Sequence, residues 1–118
     1  MVRIYIILAF AFMFPGSASA ELTSNDILVV LEHGTGEQKI YANGYIHGAA
    51  SALEWADVYI RKRQTKSMFC IPTSLALTPQ QEIDILKDGI IKRPSIGKHP
   101  VGFALLEAYL ISFPCSNE

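Results

Sequence analysis

The standard vocabulary of catalysis is missing from this chain. There is no H-E-x-x-H, no G-x-S-x-G and no phosphate-binding loop. Histidine occurs three times, at His33, His47 and His99, in separate segments with no ligand spacing to one another or to a carboxylate pair. These residues therefore assemble no enzyme site, metal site or cofactor site. Cysteine is limited to Cys70 and Cys115, so the C-x-x-C spacing that lowers a thiol pKa in redox proteins cannot occur. An excess of positive charge is lacking too. Ten Lys and Arg stand against eleven Asp and Glu, which argues against nucleic acid as a partner, since phosphate neutralisation needs a dense basic face. Internal repeats and low-complexity tracts are absent. At 118 residues the chain supports one domain with an adequate but small core.

Long hydrophobic runs are confined to the N-terminus. Met1-Val2-Arg3 supplies a short positive region, and the eleven residues Ile4 to Phe14 are all apolar. Pro15 and Gly16 break the run, and Ser17-Ala18-Ser19-Ala20 places Ala at the −3 and −1 positions of a cut before Glu21. Residues 1–20 therefore read as a cleaved secretory signal peptide, and residues 21–118 as the mature domain. Eleven residues reach only about 16 Å as a helix, against roughly 30 Å of hydrocarbon, so a membrane anchor is disfavoured. No later run is long enough to span a bilayer. Cleavage removes Arg3, leaving nine basic and eleven acidic side chains, a formal charge of −2. In an oxidising compartment the even pair Cys70 and Cys115 reads as a structural disulfide. Closing a loop of that length stabilises a fold by about 4 kcal/mol in the chain-entropy picture.

Four helical segments are legible in the mature chain. Ser24 or Asn25 can cap a first helix through Asp26 to Glu32, with Gly34 as a left-handed stop, although Ile27 to Leu31 could also form an isolated strand. A second helix runs from about Glu37 to Lys62, and Ile46, Ala49, Leu53, Ala56 and Ile60 form its apolar stripe. Beside that stripe lies a row of small residues, Gly44, Gly48, Ala52 and Ala56, against which another helix backbone can pack closely. The alternative is that Asn43-Gly44 breaks the helix. Arg61-Lys62-Arg63 places cations at its negative end. Thr78, Pro79 and Gln81 mark the start of a third helix, whose buried stripe is Ile83, Leu86, Ile90 and Ile91 and which Pro94 stops. Glu82, Asp84 and Asp88 favour the dipole near its start. Pro94 to Pro100 is a turn-rich connector. The fourth helix extends from near Pro100 to Pro114, with Val101, Ala104, Leu105, Ala108 and Phe113 facing the core and Glu107 facing solvent. The expected fold is all-α, a small bundle of about four helices stapled by one disulfide.

An ordered set of short strings resembles a known family. Gly44-Tyr45-Ile46-His47-Gly48 is followed by Phe69-Cys70-Ile71-Pro72, Thr78 with Gln81, Arg93-Pro94, Ala104 to Ala108 and a closing Ser112-Phe113-Pro114-Cys115. This set, covering Gly44 to Cys115, resembles the Rap/Tai family, periplasmic immunity proteins of type VI secretion systems. The resemblance implies a periplasmic, all-helical homodimer without catalytic residues or cofactor. Such a protein binds and inhibits a cell-wall (peptidoglycan) amidase effector. It matches Cys70 and Cys115 to the family's disulfide, and Gly44 and Gly48 to its glycine helix. The chain departs from the family's pattern in a longer Cys70–Gln81 stretch and in Gly89-Ile90-Ile91, where a Tyr-Leu type pair is more usual. An inhibitor needs a rigid inserting element, for which Arg61, Lys62 and Arg63 in the loop region 61–67, and Ser95, Lys98 and His99 in the connector, are the candidates. A small acid-stress chaperone, also helical with one disulfide, is the alternative class.

Overall fold

The computed structural model describes residues 21–116. The signal-peptide expectation for residues 1–20 lies outside the described residues. Four α-helices and one short 3₁₀ turn make up the described fold. They are α1 (Ser24–His33), α2 (Gly36–Gln64), α3 (Pro79–Lys92), the turn Pro94–Lys98, and α4 (Val101–Ser112). No strand occurs among the described residues, only an isolated bridge between Thr23 and Pro100. Ile27 to Leu31 is therefore helix, and the strand alternative is set aside.

Each of the first three helices opens with a reciprocal capping box. In α1 the cap is Thr23, one residue before the expected Ser24 or Asn25, and its amide donates to Asp26 Oδ2 at 3.0 Å. Ser24, relieved of capping, is buried and ties α1 to the far end of the chain. Its amide and hydroxyl both donate to the His99 carbonyl, at 2.9 and 2.8 Å. Thr35 with Gln38 caps α2, and Thr78 with Gln81 caps α3 as the sequence predicts. Gly34 does end α1, but with φ −71° it is extended, not left-handed. Its absent Cβ matters for space, since one would meet the Val30 carbonyl oxygen at 2.5 Å. The left-handed residue is Thr65, at the end of α2.

The helix α2 spans 29 residues without a break at Asn43-Gly44, which makes it about 43 Å long. It packs through Ala42, Ile46, Ala50 and Asp57, with Ala49 and Leu53 partly covered. Ala56, expected in the apolar stripe, is exposed. The small-residue row does not serve packing within the chain: a Cβ on Gly44 or Gly48 would meet nothing within 4 Å, and Ala52 is exposed. At 100° per residue Gly48 lies roughly 160° around the helix from both Ala50 and Ile46, so it faces away from the core. The glycine that does permit a close crossing is Gly89 of α3, where a Cβ would stand 2.7 Å from the Ala108 Cβ of α4. On α3, Ile83 and Leu86 are buried and Ile90 is partly covered, but Ile91 is 78% exposed. Five residues after Leu86, it sits about 140° around the helix.

The core gathers Ile27, Ile46, Leu86, Ile96, Leu105 and Tyr109 from all four helices and the turn. Tyr109 is its largest fully buried side chain, and Phe69 meets it edge-on at 4.9 Å. Phe113 is half-buried at the rim, not in the core. The segment between α2 and α3 has no regular structure, and three contacts hold it. Phe69 inserts into the core, the Met68 amide donates to Asp57 Oδ1 at 2.6 Å, and the Cys70 amide donates to the Phe113 carbonyl at 2.8 Å. The Cys70–Cys115 disulfide stands beside them, as the cysteine pair predicts.

Candidate partner-binding surfaces

The connector after α3 is a short 3₁₀ turn held against the rest of the fold. Ile96 and Gly97 are fully buried, and a Cβ on Gly97 would collide with the Asn25 side chain. The His99 carbonyl receives both Ser24 bonds, so the end of the turn that runs into α4 is anchored to α1, while its other end leaves α3. Its outward side carries Ser95 and Lys98, both exposed, while His99 is half-buried. The His99 ring meets Phe103 edge-on at 4.8 Å, and Phe103 is itself 50% exposed on α4. Beside this patch Arg93 Nη1 stands 3.7 Å from Glu107 Oε1. Glu107 is thus half-covered and not solvent-facing as expected. Its other carboxylate oxygen is buried without a hydrogen-bond partner among the described residues.

The basic run on α2 lies elsewhere. Arg61, Lys62 and Arg63 are exposed at the end of the long helix, and Arg63 covers the Tyr59 ring at 5.0 Å. The helix α2 makes no contact with the 94–98 turn, so the two groups of candidate residues do not form one site. Arg61 instead lines a groove of about 470 Å³ between the end of α2 and the 67–77 segment, with Asp57 and Glu54 along its wall and Phe69, Ile71 and Leu77 as apolar lining.

A second surface is the outward face of α2. Gly44, Gly48 and Trp55 fall within about 20° of one line along the helix, opposite the buried stripe. Tyr41 and Tyr59 lie about 40° to one side of that line, and all three aromatic residues are exposed, Trp55 to 71%. Ile40, 75% exposed, adds a further apolar side chain. The face is therefore large at both ends and flat in the middle, and uncharged between Lys39 and Glu54 apart from His47 at its edge. The exposed apolar side chains thus gather at the two ends of this face, with Gly44, Gly48 and Ser51 between them.

Between that face and the core runs a polar seam. His47 Nδ1 of α2 stands 2.8 Å from Glu82 Oε2 of α3; the imidazole is half exposed, whereas the Glu82 side chain is only 2% exposed. Two turns along α2, Glu54 accepts a long bond of 3.5 Å from the Tyr109 hydroxyl of α4. Burial raises the Glu54 carboxyl above its ordinary 4.5, with the Glu82 charge adding to the effect; the Tyr109 bond and His47 act against it. Burial also pushes the Tyr109 hydroxyl well up, helped by Glu54 and Glu82. Asp84 and Asp88 bond to Gln80 and Lys92 on their own helix; Asp88 lies in the second half of α3, not near its start as expected, and its ion pair with Lys92 accounts for it. Glu82 is different. The signal for it in the sequence is faint: His47, Glu54 and Asp57 are polar residues spaced along the edge of an otherwise apolar helix face, and buried polar groups require partners.

No group of three or more His, Cys, Asp or Glu side chains among the described residues is placed to hold a metal ion. No described helix is long and apolar enough to cross a membrane. Comparison of the chain with family profiles, curated proteins and solved structures finds no match.

Proposed function

We propose that this chain is a periplasmic immunity-type inhibitor, which protects its cell by occupying the active-site cleft of a peptidoglycan amidase effector of a type VI secretion system. The observation that carries this reading is the connector: a short turn pinned by buried Ile96 and Gly97 and by two bonds from Ser24 to the His99 carbonyl, with Lys98 and, on α4, Phe103 exposed beside it. A turn that is ordered before binding loses little entropy on association, which is what a tight inhibitor needs. The secretory character of residues 1–20 and the ordered Rap/Tai-like strings supply the compartment and the target class.

The same reading includes a homodimer through the outward face of α2. An antiparallel pairing about an axis near Gly48 and Ser51 sets Trp55 of one copy over Gly44 of its partner. It also brings Glu37 near Lys62. Large side chains then meet small ones, and opposite charges meet at the ends, as a two-fold interface requires.

Co-expression of the exported chain should protect cells from the cognate amidase, whereas a version lacking residues 1–20 should bind the enzyme in vitro yet fail to protect. Lys98→Glu should weaken binding mainly through faster dissociation, with a melt close to wild type. A chaperone reading draws on the exposed Ile40, Trp55, Ile91 and Phe103. Suppressed aggregation of several unrelated proteins at acidic pH, with no binding to an amidase, would favour it over inhibition.

A further inference from the structure

The groove between the end of α2 and the 67–77 segment has two unlike walls. On α2 it is lined by Glu54, Asp57 and Arg61, each about one turn from the next. Across from them the lining is apolar, made by Phe69, Ile71 and Leu77. Both carboxylates are underused. Asp57 is only 6% exposed, yet one of its oxygens alone, Oδ1, accepts a bond, from the Met68 amide at 2.6 Å. Glu54 Oε1 receives the long Tyr109 bond of 3.5 Å, and its other oxygen accepts none among the described residues. Neither carboxylate takes part in an ion pair among the described residues, and Arg61 does not turn back to Asp57. A buried carboxylate with a free oxygen and no counter-charge gains from any cation that can reach it. The backbone of the facing segment is open too. Among the described residues, 71–77 form one backbone hydrogen bond, from the Leu75 amide to the Pro72 carbonyl at 2.9 Å.

We propose that this groove docks an extended peptide segment through a lysine or arginine side chain, whose aliphatic stem lies along Ile71 and Leu77 and whose cation meets Glu54 and Asp57. Such a side chain matches both walls, since it joins an apolar stem to charged donors. Two of the three charges lining the groove are negative, so its field favours a cation. A volume of about 470 Å³ holds one long side chain with the main chain on either side of it. The free amides and carbonyls of 71–77 pair with that main chain, as an unpaired extended segment does when a peptide is laid along it. No lining residue belongs to the 94–98 turn or to α4. The site is therefore separate from the one in the amidase reading and stands or falls without it.

Amide chemical-shift mapping by NMR, on the disulfide-bonded chain titrated with the peptide acetyl-Ala-Leu-Lys-Leu-Ala-amide, tests the docking. Saturable shifts should concentrate in residues 54–61 and 69–77. The same peptide with norleucine in place of lysine should bind at least about tenfold more weakly, because the charge-assisted bonds are lost. This comparison uses the unmutated chain and does not depend on any variant folding. Glu54→Gln combined with Asp57→Asn should weaken the lysine peptide by a similar factor and leave the melt near wild type, since both new amides can still accept the Tyr109 and Met68 bonds. Equal affinity for the lysine and norleucine peptides overturns the proposal, as do shifts centred outside the groove, or none at millimolar peptide. Cadaverine, an amine without a main chain, should bind more weakly than the lysine peptide. Equal affinity for the two would show that 71–77 pairs with no peptide, and would overturn the docking of a segment.

Discussion

At the scale of single residues, glycine is the most instructive case. The spacing of Gly44 and Gly48 is visible in the sequence, and it reads as a close crossing of two helices. Within the chain that crossing belongs to Gly89, set in an ordinary-looking α3 where nothing nearby repeats. Which glycine a partner approaches is fixed by the antiparallel register of α3 and α4, and register is a tertiary quantity that local patterning does not encode. Gly89→Ala should therefore be costly, because the new Cβ would lie 2.7 Å from the Ala108 Cβ and 3.1 Å from its Cα, and the latter cannot rotate away. The expected loss is about 1–3 kcal/mol. Gly102→Ala is the control, with nothing within 4 Å of its Cβ, and it should be neutral or stabilising by up to about 1 kcal/mol. Thermal melts of the two variants compare them directly. Equal melting temperatures would show that α3 and α4 do not approach at Gly89. Glu82 makes the same point for charge, since its place in the sequence suggests only a helix-dipole role and its burial depends on His47, 35 residues away.

Helical elements are far more legible than their partners. Capping chemistry is local, and Thr78, Pro79 and Gln81 locate the start of α3 because the cap is made by residues three apart. The outward face of α2 is also visible as a pattern, but not which side of it is covered. A 29-residue helix outruns the helices packed on it, so one full face stays open whatever its composition. If a second copy covers that face, Gly48→Leu and Trp55→Glu should act on association and not on the fold. In Gly48→Leu the added side chain meets open space in a single chain, yet it would separate two backbones in an antiparallel pair. Trp55→Glu would remove the largest side chain of the stripe and set a charge against the partner's glycine-lined backbone, away from water. Sedimentation should show wild-type dimers and monomeric variants, with circular dichroism unchanged. Variants that remain dimeric would place the interface on another surface, and a monomeric wild type would leave the α2 face without the partner proposed for it.

For the molecule as a whole, the disulfide decides how the irregular 65–78 segment is kept in place. An even cysteine pair makes the bond predictable once the chain is read as exported, but not what it holds, because the segment has no periodicity to read. Cys70 directly follows the buried Phe69 and joins the chain end at Cys115, across 45 residues. The chain-entropy contribution of such a loop is about 4 kcal/mol, a large share of the roughly 5–15 kcal/mol typical of a whole domain. The measured effect should fall below that figure, since Phe69 against Tyr109 and the Met68–Asp57 bond remain after reduction and keep the reduced segment partly anchored. Reduction should therefore lower the melting temperature while helical content is retained, and limited proteolysis should cut first between residues 66 and 78, next to the groove that this segment walls. Cys70→Ser should reproduce both effects without reductant. If reduced and oxidised protein melt together and are cleaved at the same rate, then Phe69 and Asp57 alone hold the segment. The bond would then have no structural role in the folded chain.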